Sequence, residues 1–171
     1  MPMALPRRVL LAALLLLYPA VASAEPAALP VRKAGKWELT TKLDEGKGPR
    51  EQVLVMCVDG DMERNTAAAS VREHQSACSR YDIVKSSAQT VVDAECVYAS
   101  DRVTSRTEMN GDFETTFDVR ITSKTVTSTP NGQSMVRNRT ITQSGKRLGD
   151  SCGDLAPGEA MGADGKKVIV Q

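Results

Sequence analysis

The chain contains a succession of segments in which apolar and polar side chains alternate, and turn signals separate these segments. Trp37, Leu39 and Leu43 open the series, and Asn110-Gly111 and Pro130-Asn131-Gly132 are turn signals between later segments. Alternation with a period of two is typical of a strand that buries one face. The pattern therefore predicts a mainly β fold built from antiparallel hairpins.

One segment departs from this alternation and predicts a helix. Asp59 is a favourable N-cap residue, and Asp61 and Glu63 place negative charge in the first turn. The alanines at 67–69 are strong helix formers. We predict one short helix from Asp59 to about His74.

The amino terminus has the layout of a cleavable secretory signal peptide. Arg7 and Arg8 form a positive n-region, Val9–Tyr18 form an apolar run, and Ala22-Ser23-Ala24 is a small-residue cleavage site. The run is shorter than the about 20 residues that a membrane-spanning helix needs. We expect cleavage near Ala24, no membrane span afterwards, and a location in the periplasm or outside the cell. An uncleaved membrane anchor is the alternative.

Cleavage divides the chain into three parts. Residues 1–24 are the signal peptide, the Pro/Ala-rich residues 25–34 are a flexible lead-in, and residues 35–171 are a single β-rich domain with a Gly-rich, irregular carboxyl-terminal segment. The 147 residues that remain carry 20 basic and 21 acidic side chains. This balance argues against a nucleic-acid-binding protein, which typically has a clustered basic excess.

Four cysteines in an exported chain predict two disulfides, because disulfides persist in oxidising compartments. A hairpin centred on Ser87 sets Cys78 opposite Cys96. Opposed residues have Cα atoms about 4.5–5.5 Å apart, a distance that a disulfide tolerates. We therefore pair Cys78 with Cys96 and, by elimination, Cys57 with Cys152. Four free buried thiols are the alternative.

The hairpin around Asn110-Gly111 has two candidate registers. A two-residue turn mixes apolar and acidic side chains on one face, whereas a three-residue loop at Met109–Gly111 sets Val103 opposite Phe117. We prefer the three-residue loop, because it makes one face apolar and the other solvated and ion-paired. Further pairs expected in this register are Thr107 with Phe113, Arg102 with Asp118, and Arg106 with Glu114.

A series of short motifs runs through residues 34–167. In chain order they are Gly35-Lys36-Trp37-Glu38, Cys57 before a capped helix, the Cys78 and Cys96 hairpin, Thr104-Ser105-Arg106-Thr107-Glu108 before Gly111-Asp112-Phe113, and Leu148-Gly149-Asp150-Ser151-Cys152 before Pro157-Gly158. This series resembles the bacterial exported family of domain of unknown function 3617. The resemblance implies a small, β-rich periplasmic or secreted protein with no assigned reaction. The Asp59-Gly60 step departs from the family pattern, in which Thr-Pro opens the helix.

No motif in the sequence identifies a reaction. His74 is the single histidine, and the orienting partner and nucleophile that a catalytic base needs are not displayed around it. Asp59, Asp61 and Glu63 lack the glycine and distal glutamate of a calcium loop, and the cysteines form no C-x-x-C motif. We therefore predict no catalytic residue, no cofactor and no metal site.

We weigh two functions. The first is a non-catalytic binding or interaction module of the cell envelope. Its apolar concave side would pack on the helix, or hold a small apolar ligand or a strand of an envelope protein. That side consists of Trp37, Leu39, Val103, Phe113, Phe117 and Ile121.

The alternative function is a hydrolase or isomerase that clamps an anionic substrate between arginine and glutamate side chains. Its site would consist of Arg106, Glu114, Arg137 and Arg139. Exposed cross-strand ion pairs explain these charges more simply, so we expect the binding module.

The predicted architecture is a single mainly β domain. It is a strongly twisted antiparallel sheet or half-barrel of about seven or eight strands, with one short helix after Cys57 and two disulfides.

Overall fold

The computed structural model describes residues 28–129 and 131–170, so the predicted signal peptide lies outside the described residues. This part of the chain forms nine strands and one helix. They are β1 (Gly35–Asp44), β2 (Arg50–Val58), α1 (Gly60–Ala77), β3 (Cys78–Lys85), β4 (Gln89–Tyr98), β5 (Asp101–Gly111), β6 (Thr116–Ser128), β7 (Ser134–Gly149), β8 (Glu159–Gly162) and β9 (Lys167–Ile169).

All nine strands belong to one open antiparallel sheet, in the order β3-β4-β5-β6-β7-β1-β2-β8-β9. The predicted mainly β fold with one helix is confirmed. The strand count exceeds the expected seven or eight, because the carboxyl-terminal segment is more regular than predicted. β7 extends to Gly149, and β8 and β9 add two short strands beside β2.

Alternation along the strands gives the sheet two faces. We call the face that carries Trp37, Leu39 and Phe117 the inner face, and the opposite one the outer face. At one end of the inner face, three rings pack together: the Phe117 ring stacks on that of Phe113, with centroids 5.0 Å apart, and meets that of Trp37 at a tilt, with centroids 5.6 Å apart. The buried core there comprises Trp37, Leu39, Met56, Val58, Phe113, Phe117 and Ala160.

Gly145 on β7 makes this ring packing feasible. It pairs with Phe117 across the β6–β7 ladder. A Cβ atom at position 145 would lie 2.5 Å from Cζ of Phe117 and closer still to Cε1. The ring therefore occupies the space that any other residue would fill with its side chain.

The predicted register of the β5–β6 hairpin is wrong. Val103 pairs with Thr125 and Thr107 with Ile121, because β5 continues through Gly111 and the turn consists of residues 112–115. The expected Arg102–Asp118 and Arg106–Glu114 pairs are absent from this ladder, where Arg102 faces Val126 and Arg106 faces Thr122. The observed register differs from the predicted one by an even number of residues, so each side chain of the two strands stays on its predicted face.

The Asp112 carboxylate organises this turn. Its Oδ1 accepts hydrogen bonds from the backbone N–H groups of Glu114 (2.9 Å), Thr115 (2.8 Å) and Thr116 (3.1 Å). Its Oδ2 accepts a hydrogen bond from the Thr115 hydroxyl at 2.6 Å. Phe113 has a φ of 56°, in the left-handed region that side chains rarely adopt, and this turns its ring into the core.

Helix α1 begins at the predicted N-cap. One carboxylate oxygen of Asp59 accepts hydrogen bonds from the N–H groups of Asp61 (3.0 Å) and Met62 (2.9 Å). The helix continues three residues past the predicted end at His74, to Ala77. It contacts β3 and β4 on the inner face, where the inner residues of β4 are buried. These residues are Thr90, Val92, Ala94 and Cys96.

Both predicted disulfides are confirmed. Cys78 and Cys96 pair across the β3–β4 ladder, with Cα atoms 4.0 Å apart. The rest of this ladder is centred between Ser87 and Ala88 rather than on Ser87, and a register shift between Cys78 and Arg80 sets the cysteines opposite each other. Cys57 and Cys152 connect the end of β2 to the segment after β7, with Cα atoms 5.3 Å apart. Cys78–Cys96 therefore cross-links the two strands that helix α1 contacts, and Cys57–Cys152 cross-links the region of the aromatic core.

Candidate functional site

The six residues predicted to form an apolar ligand face fall into two groups. Trp37, Leu39, Phe113 and Phe117 lie in the packed core and are at most 9 % exposed. Val103 and Ile121 lie half-buried on the inner face, away from the stacked rings. Of the predicted face, only these two side chains are therefore partly open to solvent.

A different apolar surface forms between the lead-in and helix α1. Residues 28–31 run beside the helix and enclose a groove of about 500 Å³ with it. The groove is lined by Ala28, Leu29, Val31, Arg64, Ala67, Ala68, Val71, Arg72 and Gln75. Helix residues spaced three and four apart share one side of a helix, so these residues form a continuous stripe.

Three hydrogen-bonded contacts hold the next part of the lead-in against the sheet. The N–H of Lys33 donates to the Phe113 carbonyl at 2.8 Å, and its carbonyl accepts a hydrogen bond from Nε1 of Trp37 at 2.8 Å. The Ala34 carbonyl accepts hydrogen bonds from Nε (3.1 Å) and Nη2 (2.6 Å) of Arg147. The lead-in is thereby positioned by the aromatic core and by the end of β7.

An ion pair joins the lead-in to the helix. Nε and Nη2 of Arg32 each donate to a carboxylate oxygen of Glu63 at 2.7 Å. The two side chains are only 15 % and 13 % exposed. A bidentate pair of this kind fixes orientation as well as distance, so it sets the direction in which residues 28–31 leave the sheet.

The helix side of the groove is open because α1 packs loosely. No residue of α1 is fully buried, and small alanines occupy two of the groove positions. Arg64 and Arg72 border the apolar floor, and Arg64 also forms an ion pair with Asp61. Within the described part of the chain, Arg72 forms no salt bridge. The groove therefore combines an apolar floor with a cationic rim.

The residues of the alternative enzymatic site do not assemble in one place. Arg106 is on the outer face, where it pairs with Asp93 at 3.0 Å and with Glu108 at 3.3 Å. Glu114 lies in the β5–β6 turn, beyond the end of β5 and about 17 Å along the strand direction from the Arg106 position. Arg137 and Arg139 lie on the inner face of β7.

Glu45 forms the centre of a separate group of charges at the end of β1. The hydrogen bond from Arg139 holds the pKa of this carboxyl below its ordinary value, and the nearby charges of Arg50 and Arg137 act in the same direction. Arg139 and Arg50 are its ion-pair partners, at 2.7 Å and 3.0 Å. Two of the predicted arginines thus belong to a cluster around a carboxylate that sequence reasoning did not select.

The side chain of His74 contacts Tyr81 and Ser70, and these contacts connect the helix to the sheet. Its ring stacks on that of Tyr81 with centroids 5.3 Å apart, and its Nδ1 lies 2.7 Å from the Ser70 carbonyl oxygen, which accepts its hydrogen bond. Partial burial raises the pKa of the Tyr81 hydroxyl. The imidazole thus connects the last turns of α1 to the start of β3.

Within residues 28–129 and 131–170, no three His, Cys, Asp or Glu side chains are grouped so that they could hold a metal ion. All four cysteines are in disulfides. No helix in the same ranges combines the length and apolar character of a membrane span.

The groove was not predicted, although part of its signal is visible in the sequence. Ala67, Ala68 and Val71 form an apolar stripe on α1, and Leu29 and Val31 are the apolar residues of an otherwise Pro/Ala-rich lead-in. The Pro/Ala-rich composition predicts a flexible lead-in, because composition does not show that Arg32 pairs with a helix residue 31 positions later.

Residues 32–152 match the family described as protein of unknown function (DUF3617). The chain belongs to this family. The resemblance drawn from the motifs is thus confirmed, and the DUF3617 region includes β1 to β7, helix α1 and all four cysteines. Neither the curated proteins nor the solved structures contain a match to the chain.

The DUF3617 region begins at Arg32, the residue that pairs with Glu63. The matched region therefore contains the helix wall of the groove and the ion pair that positions its other wall. Residues 28–31, which form that other wall, lie just before it.

Proposed function

We propose that this DUF3617 protein is an exported, non-catalytic binding protein of the cell envelope. Its ligand is a small apolar molecule with an acidic group, held in the groove between the lead-in and helix α1. The observation that carries this proposal is the groove itself, an apolar cleft bordered by two arginines.

The size and lining of the groove suit a small ligand. Its volume of about 500 Å³ falls within the roughly 300–1,000 Å³ typical of small-molecule sites. Such sites are mostly apolar, with a few polar groups that orient the ligand. Leu29, Val31 and Val71 supply apolar surface here, and Arg64 and Arg72 supply the orienting groups.

The rim determines the chemical class of the ligand. Arginine binds carboxylates through two parallel N–H donors, and Arg72 forms no salt bridge with any described residue that would compete for them. The acidic group would lie at Arg72 and the apolar part along Ala68 and Val71. A single-chain amphiphile such as a fatty acid has this shape and charge.

Export is supported by two independent features. The amino terminus has the layout of a signal peptide, and two disulfides are typical of proteins that fold in an oxidising compartment. The periplasm is the compartment in which such a protein would meet apolar envelope molecules.

The test uses the disulfide-bonded protein from residue 25 onwards and isothermal titration with oleate below its micelle concentration. Ala68→Trp would fill the groove with an indole ring and abolish binding. Ala69→Trp is the matched control, because Ala69 is also an exposed helix residue but does not line the groove. We expect oleate binding to the native protein and to Ala69→Trp, and none to Ala68→Trp.

Oleyl alcohol tests the role of the rim with the same chain and no carboxylate. We expect it to bind at least about fivefold more weakly than oleate, and Arg72→Gln to remove most of that difference. Absence of oleate binding to the native protein, or equal binding to the two tryptophan variants, would contradict the groove as the ligand site.

A further inference from the structure

We infer that the chain has a second binding site, for a phosphate-type anion, at the opposite end of the inner face from the aromatic core. It consists of four cations around one carboxylate, and we call it the basic cluster: Lys47, Arg50, Arg137 and Arg139 around Glu45. This site is separate from the groove, so either proposal can fail without the other.

Glu45 positions two of the guanidinium groups. Its Oε1 accepts hydrogen bonds from Nε (3.1 Å) and Nη2 (2.7 Å) of Arg139, and its Oε2 accepts one from Nη2 of Arg50 at 3.0 Å. One carboxylate thus brings together an arginine from β7 and another from the start of β2, which are not neighbouring strands.

The cations outnumber the carboxylates in this cluster. Within the described residues, Lys47 and Arg137 form no salt bridge. Glu51 follows Arg50 in the chain, but its carboxylate pairs with Lys42 at 2.9 Å on the outer face. The cluster therefore has an excess of three positive charges.

On the outer face, by contrast, one arginine is surrounded by two carboxylates. Arg106 lies between two carboxylates, Asp93 and Glu108, and is therefore compensated. Ordinary exposed ion pairs account for its charge. Lys47 and Arg137, in contrast, have no ion-pair partner among the described residues.

The cluster borders an open cavity of about 530 Å³, lined by Glu45, Lys47, Gly48, Arg50 and Arg137. Phosphate oxygens match the fork of donors on arginine, and a doubly charged group gains more from several cations than a single carboxylate does. The geometry therefore favours a phosphate or pyrophosphate group over a monocarboxylate.

An apolar row adjoins the cluster on the same face. Leu43, Ile141 and Ile121 are paired across three neighbouring strands and are half-buried. The phosphate group could come from a lipid whose chain lies along this row, or from a free phosphate ester that occupies the cluster alone. The recognition chemistry is the same for both sources.

The first experiment titrates inorganic pyrophosphate into the disulfide-bonded protein at fixed low ionic strength, because screening weakens exposed charges. We expect Arg137→Ala to lower the affinity about fivefold. Glu45→Gln should raise it, since the amide removes the competing charge and keeps an oxygen acceptor for Arg139. Arg120→Ala is the matched control, because Arg120 is an exposed arginine on the outer face, and it should leave the affinity unchanged.

The second experiment identifies the source of the phosphate group. It measures co-sedimentation with phosphatidylcholine vesicles that contain phosphatidic acid, against pure phosphatidylcholine. Arg137-dependent binding to the acidic vesicles indicates a lipid headgroup, and binding to pyrophosphate alone indicates a free phosphate compound. Both results support the site. No pyrophosphate binding, or an equal loss in Arg120→Ala and Arg137→Ala, would overturn it.

Discussion

The aromatic end of the sheet and the helix layer are built in different ways. Around Phe117, the Phe113 ring stacks at 5.0 Å and the Trp37 ring packs at a tilt at 5.6 Å, and the absence of a side chain at Gly145 leaves room for the Phe117 ring. Along α1, no residue is fully buried, and an ion pair and a ring stack connect the helix to its surroundings. The aromatic end is therefore the more tightly packed of the two regions, and a groove remains beside the helix.

Each of the two regions contains one disulfide. Removal of these disulfides is expected to give the largest changes in stability, so it is the first test of the comparison. Cys57–Cys152 spans 95 residues and Cys78–Cys96 spans 18. Chain-entropy arguments predict a loss of about 4.7 kcal/mol for the first and about 3 kcal/mol for the second. Urea unfolding of the two double cysteine-to-alanine variants checks this order, and a greater loss from removing Cys78–Cys96 would contradict it.

Substitution of Gly145 tests the packing of the aromatic end. Gly145→Ala places a methyl group where the Phe117 ring lies, so we expect a loss of about 1–3 kcal/mol in the free energy of unfolding. Gly149→Ala on the same strand is the control, because a Cβ there meets no atom within 4 Å. Equal urea midpoints for the two variants would show that the ring packing is looser than described.

Removal of Arg32 tests how the helix layer is held. Arg32→Met breaks the bidentate pair with Glu63 and should cost about 1–2 kcal/mol of stability. It should also weaken oleate binding, because the lead-in wall of the groove loses its anchor. Arg120→Met on the outer face should change neither quantity. A stability loss without any change in oleate binding would separate the anchor from the groove.

The smallest expected change in stability concerns the turn at Asp112. Hydrogen bonds from the Thr115 hydroxyl and from backbone N–H groups hold the pKa of this carboxyl well below its ordinary value. The resulting stabilisation is complete above the ordinary pKa of about 4 and is lost as the pH falls toward the lowered folded-state pKa. Asp112→Asn should therefore be less stable than the native protein at pH 7, and the difference should shrink in acid.

Urea midpoints at neutral pH and at about pH 2.5 measure this change, with Asp118→Asn, an exposed outer-face carboxyl, as the control. A difference that stays constant with pH would mean that the ionised form of Asp112 does not stabilise the turn.

Local patterns predicted the elements that depend on local physics. The predicted hairpin paired Cys78 with Cys96 correctly, although the observed ladder is centred between Ser87 and Ala88 and a register shift between Cys78 and Arg80 sets the two cysteines opposite each other. Asp59 was sufficient to locate the start of α1. In both cases the deciding contacts lie within about twenty residues, where spacing and capping preferences apply directly.

The features that depend on unusual conformations or distant contacts could not be predicted. Asn110-Gly111 has the composition of a turn, yet Gly111 ends β5, because Asp112 closes a later turn in which Phe113 adopts a positive φ. The groove depends on Arg32 pairing with Glu63, and the basic cluster depends on Arg139 meeting Glu45 from 94 positions away. Hydrophobic periodicity carries no information about such pairs.

The central claim is that a fatty acid binds in the groove beside helix α1 and not on the inner face of the sheet. Titration of the isotope-labelled protein with oleate, followed by the chemical shifts of its backbone amides, tests this directly. We predict that the amides of residues 28–31 and 64–75 move together and that those of Val103 and Ile121 stay in place. Shifts at Val103 and Ile121 with an unchanged helix would contradict the claim and assign the ligand to the inner face of the sheet.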